Sequence, residues 1–333
     1  MNIYHQSVFD TWPLEDKSAQ TIITSPPYWG LRKYNIPDVV IGGDINCKHW
    51  FDTHDLALNI YCTYCGAWQG QYGLEPSYKD FIEHTRLWCR EAWRVLKDDG
   101  IFFLNIGDSY CGGGRGTDKK FGEGRDEQPK SFKGDETIKS KCKMLIPHRI
   151  AIALIEDGWI LRNDIIWAKG NPMPESVKDR FSKGFEYIFM FVKQEKYYFD
   201  LDAVREVHSY VPKFGDKVTT KSKAFGIKEY GGQVRNNHDI HNCYNPKDKN
   251  PSDVWTINTQ PSGEAHFAMW PEKLVKRMIL CSTKPGDAVF DPFVGSGTTI
   301  KVAEELNRVG SGIDLGYKDI QVRRLNNIQK TLI

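Results

Sequence analysis

The chain has 333 residues, enough for one large domain or two ordinary ones with a sizeable buried core. With 40% hydrophobic and 26% charged residues and a net charge of only +2, it is not a disordered, collagen-like or uniformly basic chain, although local basic patches remain open. No apolar run approaches the ~20 residues of a membrane span and the first ten residues lack a signal-peptide profile, so a cytoplasmic protein with no membrane partner is expected.

The first apolar segment, residues 21–24 (TIIT), is β-branched throughout and predicts a buried strand. It stops at Ser25-Pro26-Pro27-Tyr28, because consecutive prolines cannot continue a ladder. A polar, cysteine-bearing stretch, residues 42–73, follows. Ser77 then opens a helical pattern through Phe81, Leu87, Trp88, Ala92, Val95 and Leu96, with Asp98-Asp99-Gly100 as its predicted close. Residues 101–106 (IFFLNI) predict a second buried strand ending at Gly107-Asp108-Ser109-Tyr110. Residues 111–143 are dominated by glycine and lysine and read as a mobile insertion. A helix at 147–157 and strands at 160–167 and 185–192 come next. In the second polar break, residues 200–262, Lys213, Lys217, Lys221, Lys223, Lys228 and Arg235 interleave with Tyr210, Phe214, Phe225, Tyr230 and Tyr244. A helix at 271–282, a strand at 288–291, a glycine-rich turn, a helix at 298–307, a strand ending at Asp314 and a terminal helix complete an α/β pattern.

Three constellations carry chemistry. Asp291-Pro292-Phe293-Val294-Gly295-Ser296-Gly297-Thr298-Thr299 joins a strand to a helix, where glycines let backbone approach a ligand and the helix N-terminus offers free N–H groups. Asp314 ends the next strand, where doubly wound folds receive ribose hydroxyls, so the pair describes an adenosine-containing cofactor. Taken alone, the turn is equally a tight strand–helix connection. Ile300 stands where the dinucleotide fingerprint needs its third glycine, which counts against a nicotinamide oxidoreductase. Ser25-Pro26-Pro27-Tyr28 presents carbonyl acceptors and a hydroxyl beside an aromatic ring, which suits an exocyclic amino group; the other reading is a rigid turn with a packing tyrosine. Among the eight cysteines, Cys47-x-His49 and Cys62-x-x-Cys65, with His54 as a spare, match a tetrahedral Cys3His zinc site of structural or DNA-contacting role. Free thiols and an imidazole without metal are the alternative. Cys89, Cys111, Cys142, Cys243 and Cys281 are scattered.

Ser-Pro-Pro-Tyr early and Asp-Pro-Phe-x-Gly-Ser-Gly-Thr-Thr late together resemble the beta group of amino-group DNA methyltransferases, in which the catalytic motif precedes the S-adenosylmethionine-binding motif. Gly107 to Tyr110, the segment Ile165-Ile166-Trp167-Ala168-Lys169 with Pro174 and Glu186, and the helix at 267–280 agree in order. The resemblance covers the chain except residues 42–73, 111–143 and 200–262. It implies a circularly permuted, Rossmann-like α/β sheet with helices on both faces: residues 1–199 as the catalytic half, 200–262 as a target-recognition region and 263–333 as the cofactor-binding half. A solvated linker is the other reading of 200–262, and 111–143 is a DNA clamp or a disordered segment.

By the same resemblance, Ser25, Pro26, Pro27 and Tyr28 form the catalytic motif: the Ser25 side chain and the Pro26 carbonyl accept the two N–H groups of the target amine, and Tyr28 stacks on the base. Asp291, Pro292, Phe293, Gly295, Gly297, Thr298, Thr299 and Asp314 are implied to hold S-adenosylmethionine. The third strand must come from residues 2–7, where family members commonly carry Gly-Asp and this chain has His5-Gln6. Gln6 is therefore expected to replace the missing acid with an amide contact. The implied reaction is direct methyl transfer to a flipped-out base in double-stranded DNA. Serine-first members usually methylate cytosine N4 and aspartate-first members adenine N6, so N4 is favoured and N6 is the alternative. A cognate restriction endonuclease is an expected partner, and no oligomeric state is implied. An RNA or protein amino-group methyltransferase would carry asparagine first and its cofactor motif earlier. A zinc DNA-binding module would explain the cysteines and nothing at the carboxyl end.

Overall fold

The structure, a computed structural model, describes residues 1–51, 60–112, 137–207, 248–259 and 270–326. Its centre is a mixed sheet in the order β1-β10-β9-β2-β5-β7-β6-β8. The strands are β1 (Asn2–Tyr4), β2 (Ala19–Thr24), β5 (Leu96–Ile106), β6 (Ile160–Ala168), β7 (Phe185–Val192), β8 (Val254–Thr256), β9 (Ala288–Asp291) and β10 (Val309–Ile313). All run parallel except β7, which is antiparallel to both neighbours. The expected amino-terminal strand is β1, whose Asn2 and Tyr4 register with Ser311 and Ile313 of β10.

Apolar runs rather than alternating ones form the central strands, because both faces of the sheet are covered. In β5, Phe102, Leu104 and Ile106 face one core while Ile101 and Phe103 face the other. Helices α1 (Tyr78–Val95) and α2 (Ile146–Glu156) seal the first face through Phe81, Trp88, Ala92, Ile150 and Leu154. Helices α3 (Glu272–Ser282) and α4 (Thr298–Glu305) seal the second through Leu274, Val275, Met278, Val302 and Ala303. A short α5 (Lys318–Leu325) closes the chain, with Leu325 packed on Val294 and Ile300. Ser77 caps α1 as expected, its hydroxyl accepting from the Lys79 amide at 3.0 Å.

The helix does not close at Asp98-Asp99-Gly100. It ends at Val95, and β5 begins at the next residue. Leu96 is drawn into the sheet opposite Ala19, and Gly100 lets the strand pass, since a Cβ there would lie 2.8 Å from the Gln20 carbonyl oxygen and 2.7 Å from the Leu96 side chain. Two further features were not expected. Residues 39–70 carry a hairpin of β3 (Val39–Ile41) and β4 (Trp68–Gly70), and β8 extends the sheet beside β6.

From β9 the chain crosses through α4 to β10 on one side, and from β2 through α1 to β5 on the other. The strand order therefore reverses between β9 and β2, and α/β sheets hold ligands outside the carboxyl ends of the strands at such a point. Thr24 and Asp291, with the two turns that follow them, stand there.

Candidate active site

One hydrogen bond joins the two motifs. Thr24, the last residue of β2, donates its hydroxyl to Asp291 Oδ1, at the end of β9, at 2.7 Å. Asp291 also accepts from the Phe293 amide (3.0 Å) and, through Oδ2, from the Thr299 hydroxyl (2.7 Å). Its carboxylate is thus spent inside the protein, and burial pushes it up to about 6. Gly295 and Gly297 adopt positive φ, and α4 begins without a side-chain cap, leaving its first amides unclaimed by any cap side chain. Gly312 allows the closest approach, because a Cβ there would meet the Asp291 carbonyl oxygen at 2.2 Å.

Asp314 lies just past β10 and takes amides from Gly295 (2.5 Å) and Gly316 (2.7 Å). Burial pushes its carboxyl up to about 7, with the nearby Asp291 adding to the shift. Phe293 turns toward the core, stacking on Tyr72 and meeting Trp88 edge-on, while Pro292 and Thr298 are buried, the latter beside the Ser296 hydroxyl at 3.4 Å. Gln6 follows β1, and its amide donates to the Thr11 carbonyl at 3.0 Å.

The turn of Ser25 to Tyr28 forms the other lip. Pro26 is buried, and Pro27 and Tyr28 are half-buried. Ser25 donates to Asn105 Oδ1 at 3.3 Å, and Tyr28 Oη lies 2.9 Å from the same oxygen and donates to Glu186 Oε2 at 2.7 Å. Asn105 Nδ2 is held by the Tyr187 carbonyl at 2.8 Å, which fixes the amide with its oxygen facing Ser25. The serine proton is thereby directed inward, and its lone pairs are left to accept from a ligand N–H. Burial, reinforced by the Glu186 charge, holds the Tyr28 phenol well above its ordinary value. Burial pushes Glu186 up, but the Lys169 charge and the Tyr28 hydrogen bond outweigh it and leave the carboxylate below its usual range. The Tyr28 ring lies on Gly107, where a Cβ would come within 2.4 Å of two ring carbons.

Asn105 joins the residues of this site, and the sequence reading did not single it out. Its signal is a lone amide inside the apolar run IFFLNI, fully buried in β5, where an unpaired polar group would be costly. Glu186 and Lys169, which carried only a resemblance, come together here as an ion pair behind Tyr28.

Cys47, His49, Cys62 and Cys65 also come together, with their ligand atoms all within 4.8 Å of one another. His54, Cys243, the Lys213 to Arg235 series with its aromatics, and most of residues 111–143 lie outside the described residues. Among the described residues no helix is long and apolar enough to cross a membrane.

Comparison with known proteins agrees with this layout. A protein-family model described as DNA methylase, of the N6/N4 type, matches residues 19–322. The chain is 38% identical to the Type II methyltransferase M.Cfr9I of Citrobacter freundii, covering 96% of this chain and 85% of that protein. It is 36% identical to the Type II methyltransferase M.SmaI of Serratia marcescens, covering 91% and 82% respectively. Among solved structures, the PvuII cytosine-N4-specific DNA methyltransferase matches with a TM-score of 0.60 at 18% identity, covering 98% of this chain and 87% of that one. A DNA modification methylase of Thermus thermophilus, complexed with S-adenosyl-L-methionine, matches at 0.52 and 19% identity, covering 98% and 94%. Two turns joined through Thr24 and Asp291, and a family match spanning nearly the whole sheet, place this chain in the N6/N4 family of DNA methylases: it is a DNA methyltransferase.

Proposed function

We propose that the protein transfers a methyl group from S-adenosylmethionine to the exocyclic N4 of a flipped-out cytosine in double-stranded DNA. The observation that carries this reading is that the Thr24–Asp291 bond ties the turn bearing Ser25, whose hydroxyl proton goes to Asn105, to the turn bearing Gly295. The cofactor half fits the donor. Gln321 reaches the Gly295 carbonyl with its Nε2 at 2.9 Å, yet its buried Oε1 has no partner among the described residues. Asp314 offers carboxylate lone pairs suited to ribose hydroxyls, and the Gly295 to Gly297 turn offers space for a ligand against its backbone. Asp291, Pro292, Phe293, Thr298 and Thr299 shape that turn from within. When bound, the cofactor supplies an electrophilic methyl on a sulfonium.

This chain's own residues supply positioning. An amine conjugated to a ring is a poor nucleophile, because its lone pair is delocalised. Ser25 and the Pro26 carbonyl, accepting its two N–H groups, localise that pair, while Tyr28 provides the stacking face and Glu186 with Lys169 holds the phenol. Cytosine is supported by the serine at the head of the turn, which in this family accompanies N4 chemistry. The lysine-rich residues 111–143 and 200–262 are assigned to phosphate contact and target recognition. The Type II names of M.Cfr9I and M.SmaI support a role as the modification arm of a restriction system, with a cognate endonuclease, in a bacterial cytoplasm. A structural zinc in the Cys3His cluster completes the cofactor set.

Sequencing DNA from cells that express the chain, with a method that separates N4-methylcytosine from N6-methyladenine, tests the reading. N4-methylcytosine at one short recurring sequence is expected. N6-methyladenine there would overturn the base assignment, and unmodified DNA would overturn the activity.

A further inference from the structure

The cysteine cluster lies outside the crevice, and its geometry is specific. Cys47 Sγ and Cys62 Sγ are 3.8 Å apart, and Cys65 Sγ and His49 Nδ1 are 3.4 Å apart. A tetrahedral zinc with bonds of about 2.3 Å to sulfur and about 2.0–2.1 Å to nitrogen has edges of about 3.8 and about 3.5 Å. The Cys47 and Cys62 sulfurs stand at coordination distance and not at disulfide distance, and all three thiols are free. The surroundings match an anionic sulfur. The Trp50 amide donates to Cys62 Sγ at 3.4 Å, and Gly66, at φ +73, closes the Cys-x-x-Cys turn with its amide on the Cys62 carbonyl at 2.8 Å. Gly43 makes room for the cluster, since a Cβ there would lie 2.6 Å from Cys65 Sγ. Three thiols and an imidazole within 4.8 Å of one another are a soft donor set that suits a tetrahedral zinc, and with four protein ligands no position is left for a catalytic water.

The position of the cluster along the chain suggests its purpose. Cys47 and His49 follow β3, and Cys62 and Cys65 precede β4, so the ligands close the far end of the hairpin. The strands pair only Val39 with Gly70, Val40 with Gln69 and Ile41 with Trp68, and past them single bridges join Phe51 to Cys62 and Tyr61 to Trp68, so this short ribbon gains from a clamp at its far end. Beyond β4 the same chain grips the catalytic turn. The Gly73 carbonyl accepts the Gly30 amide at 2.7 Å, and the Glu75 carbonyl accepts Trp29 Nε1 at 3.0 Å. Gly73, at φ +95, lies so close that a Cβ would be 3.0 Å from Pro27 Cβ. The buried Glu75 carboxylate anchors this strut through the Gly73 amide (2.8 Å) and His84 Nδ1 (3.0 Å), while Trp68 of β4 stacks on the His84 ring.

We propose that Cys47, His49, Cys62 and Cys65 bind one structural zinc ion, and that this ion locks the hairpin from which the chain runs on, through Gly73 and Glu75, to brace the Pro27–Gly30 turn. The metal assignment stands on the cluster alone; the consequence for methylation rests on the reading of Ser25 to Tyr28 as the catalytic turn.

The experiment uses the full chain purified without chelators. Metal analysis should find one zinc per chain, and exchange of cobalt into the site should produce the visible bands of a tetrahedral thiolate-rich centre. Zinc at a small fraction of the protein, together with no cobalt bands, overturns the site. Cys65→Ser should lose the metal and speed deuterium exchange at the Gly30 amide. It should lower turnover by about 10-fold or more, because a small misplacement of a reacting group is costly, while S-adenosylmethionine affinity stays within about 2-fold. His49→Cys, which restores four soft ligands, should retain both metal and exchange protection. Stoichiometric zinc in the wild-type chain, with the metal lost but Gly30 exchange unchanged in Cys65→Ser, overturns the brace, as does global unfolding of that variant, which would assign the ion to the fold as a whole. If the wild-type chain methylates no DNA, the proposed activity fails, while the metal and exchange measurements still decide the brace.

Discussion

The two lips of the crevice are built on opposite electrostatic plans. On the β9 and β10 side, Asp291 and Asp314 find hydroxyls and backbone amides as hydrogen-bond partners, and burial raises both carboxyls toward neutrality. On the β2 and β5 side, Glu186 is equally enclosed but paired with Lys169, and it stays ionised. The difference matches the two proposed ligands. A sulfonium cofactor with ribose hydroxyls brings positive charge and donors, so the lip that receives it keeps unneutralised acid. A nucleobase amine is neutral, so its lip is balanced in advance and offers fixed acceptors.

The sharpest way to break the contrast is to remove the charge from the balanced lip. In Glu186→Gln the side chain keeps its shape, but Tyr28 Oη loses a charge-assisted acceptor and the Lys169 ammonium loses its partner. Turnover should fall about 10²-fold, as for a comparable misplacement of a positioning group. Cofactor affinity should barely change, because the hydrogen bonds of Glu186 go to Tyr28 and Lys169 on its own lip. Steady-state methylation combined with calorimetric titration of the cofactor checks this, and equal losses in both would show that the lips are not separable.

A smaller effect is expected from the opposite lip. Asp314→Asn replaces one of two carboxylate oxygens with an NH2 group that faces a backbone amide, either Gly295 or Gly316, that now needs an acceptor. Loss of a charged hydrogen bond amounts to about 1.5–3 kcal/mol, so S-adenosylmethionine should bind about 10- to 100-fold more weakly. Turnover at saturating cofactor should recover most of its wild-type value. Unchanged affinity in calorimetry would remove the ribose contact from Asp314.

Much of this contrast is legible in the residues, and the remainder is not for definable reasons. Residues 21–24 and 288–291 read as buried strands because both of their faces are covered, and Asp314 follows from its place at the tip of β10. The start of β5 is not legible. Asp98-Asp99-Gly100 has helix-ending chemistry, and only the pairing of Leu96 with Ala19 overrides it. The strands β3 and β4 are too short for a period to show. The Cys3His spacing suggested a metal. That its hairpin continues into the strut beneath Pro27 depends on contacts between Gly73 and Gly30, which no local pattern encodes. Asn105 was visible only as an anomaly in an apolar run, and its role depends on Ser25 and Tyr187 arriving from other strands.

The most direct reading of the acid lip is its response to pH. Asp291 and Asp314 have folded-state values raised above their ordinary ones, to about 6 and about 7. The native state therefore holds protons that the unfolded chain has released. The stability contributed by these groups is complete below about pH 4 and is lost as the pH rises through 6 and then 7, so their share of denaturant stability should decline across that window in cofactor-free protein. Glu186, shifted the other way, contributes stability that is present above its ordinary value and lost only in stronger acid. Hydroxyl donors on Asp314 favour its ionised form, so cofactor binding near pH 6 should expel roughly one proton, and binding near pH 9 almost none. Calorimetry in two buffers of different ionisation enthalpy measures that proton directly. A heat at the acid pH that does not depend on the buffer would mean that the carboxyl titrates without sensing the ligand, and the asymmetry between the lips would then reflect packing rather than recognition.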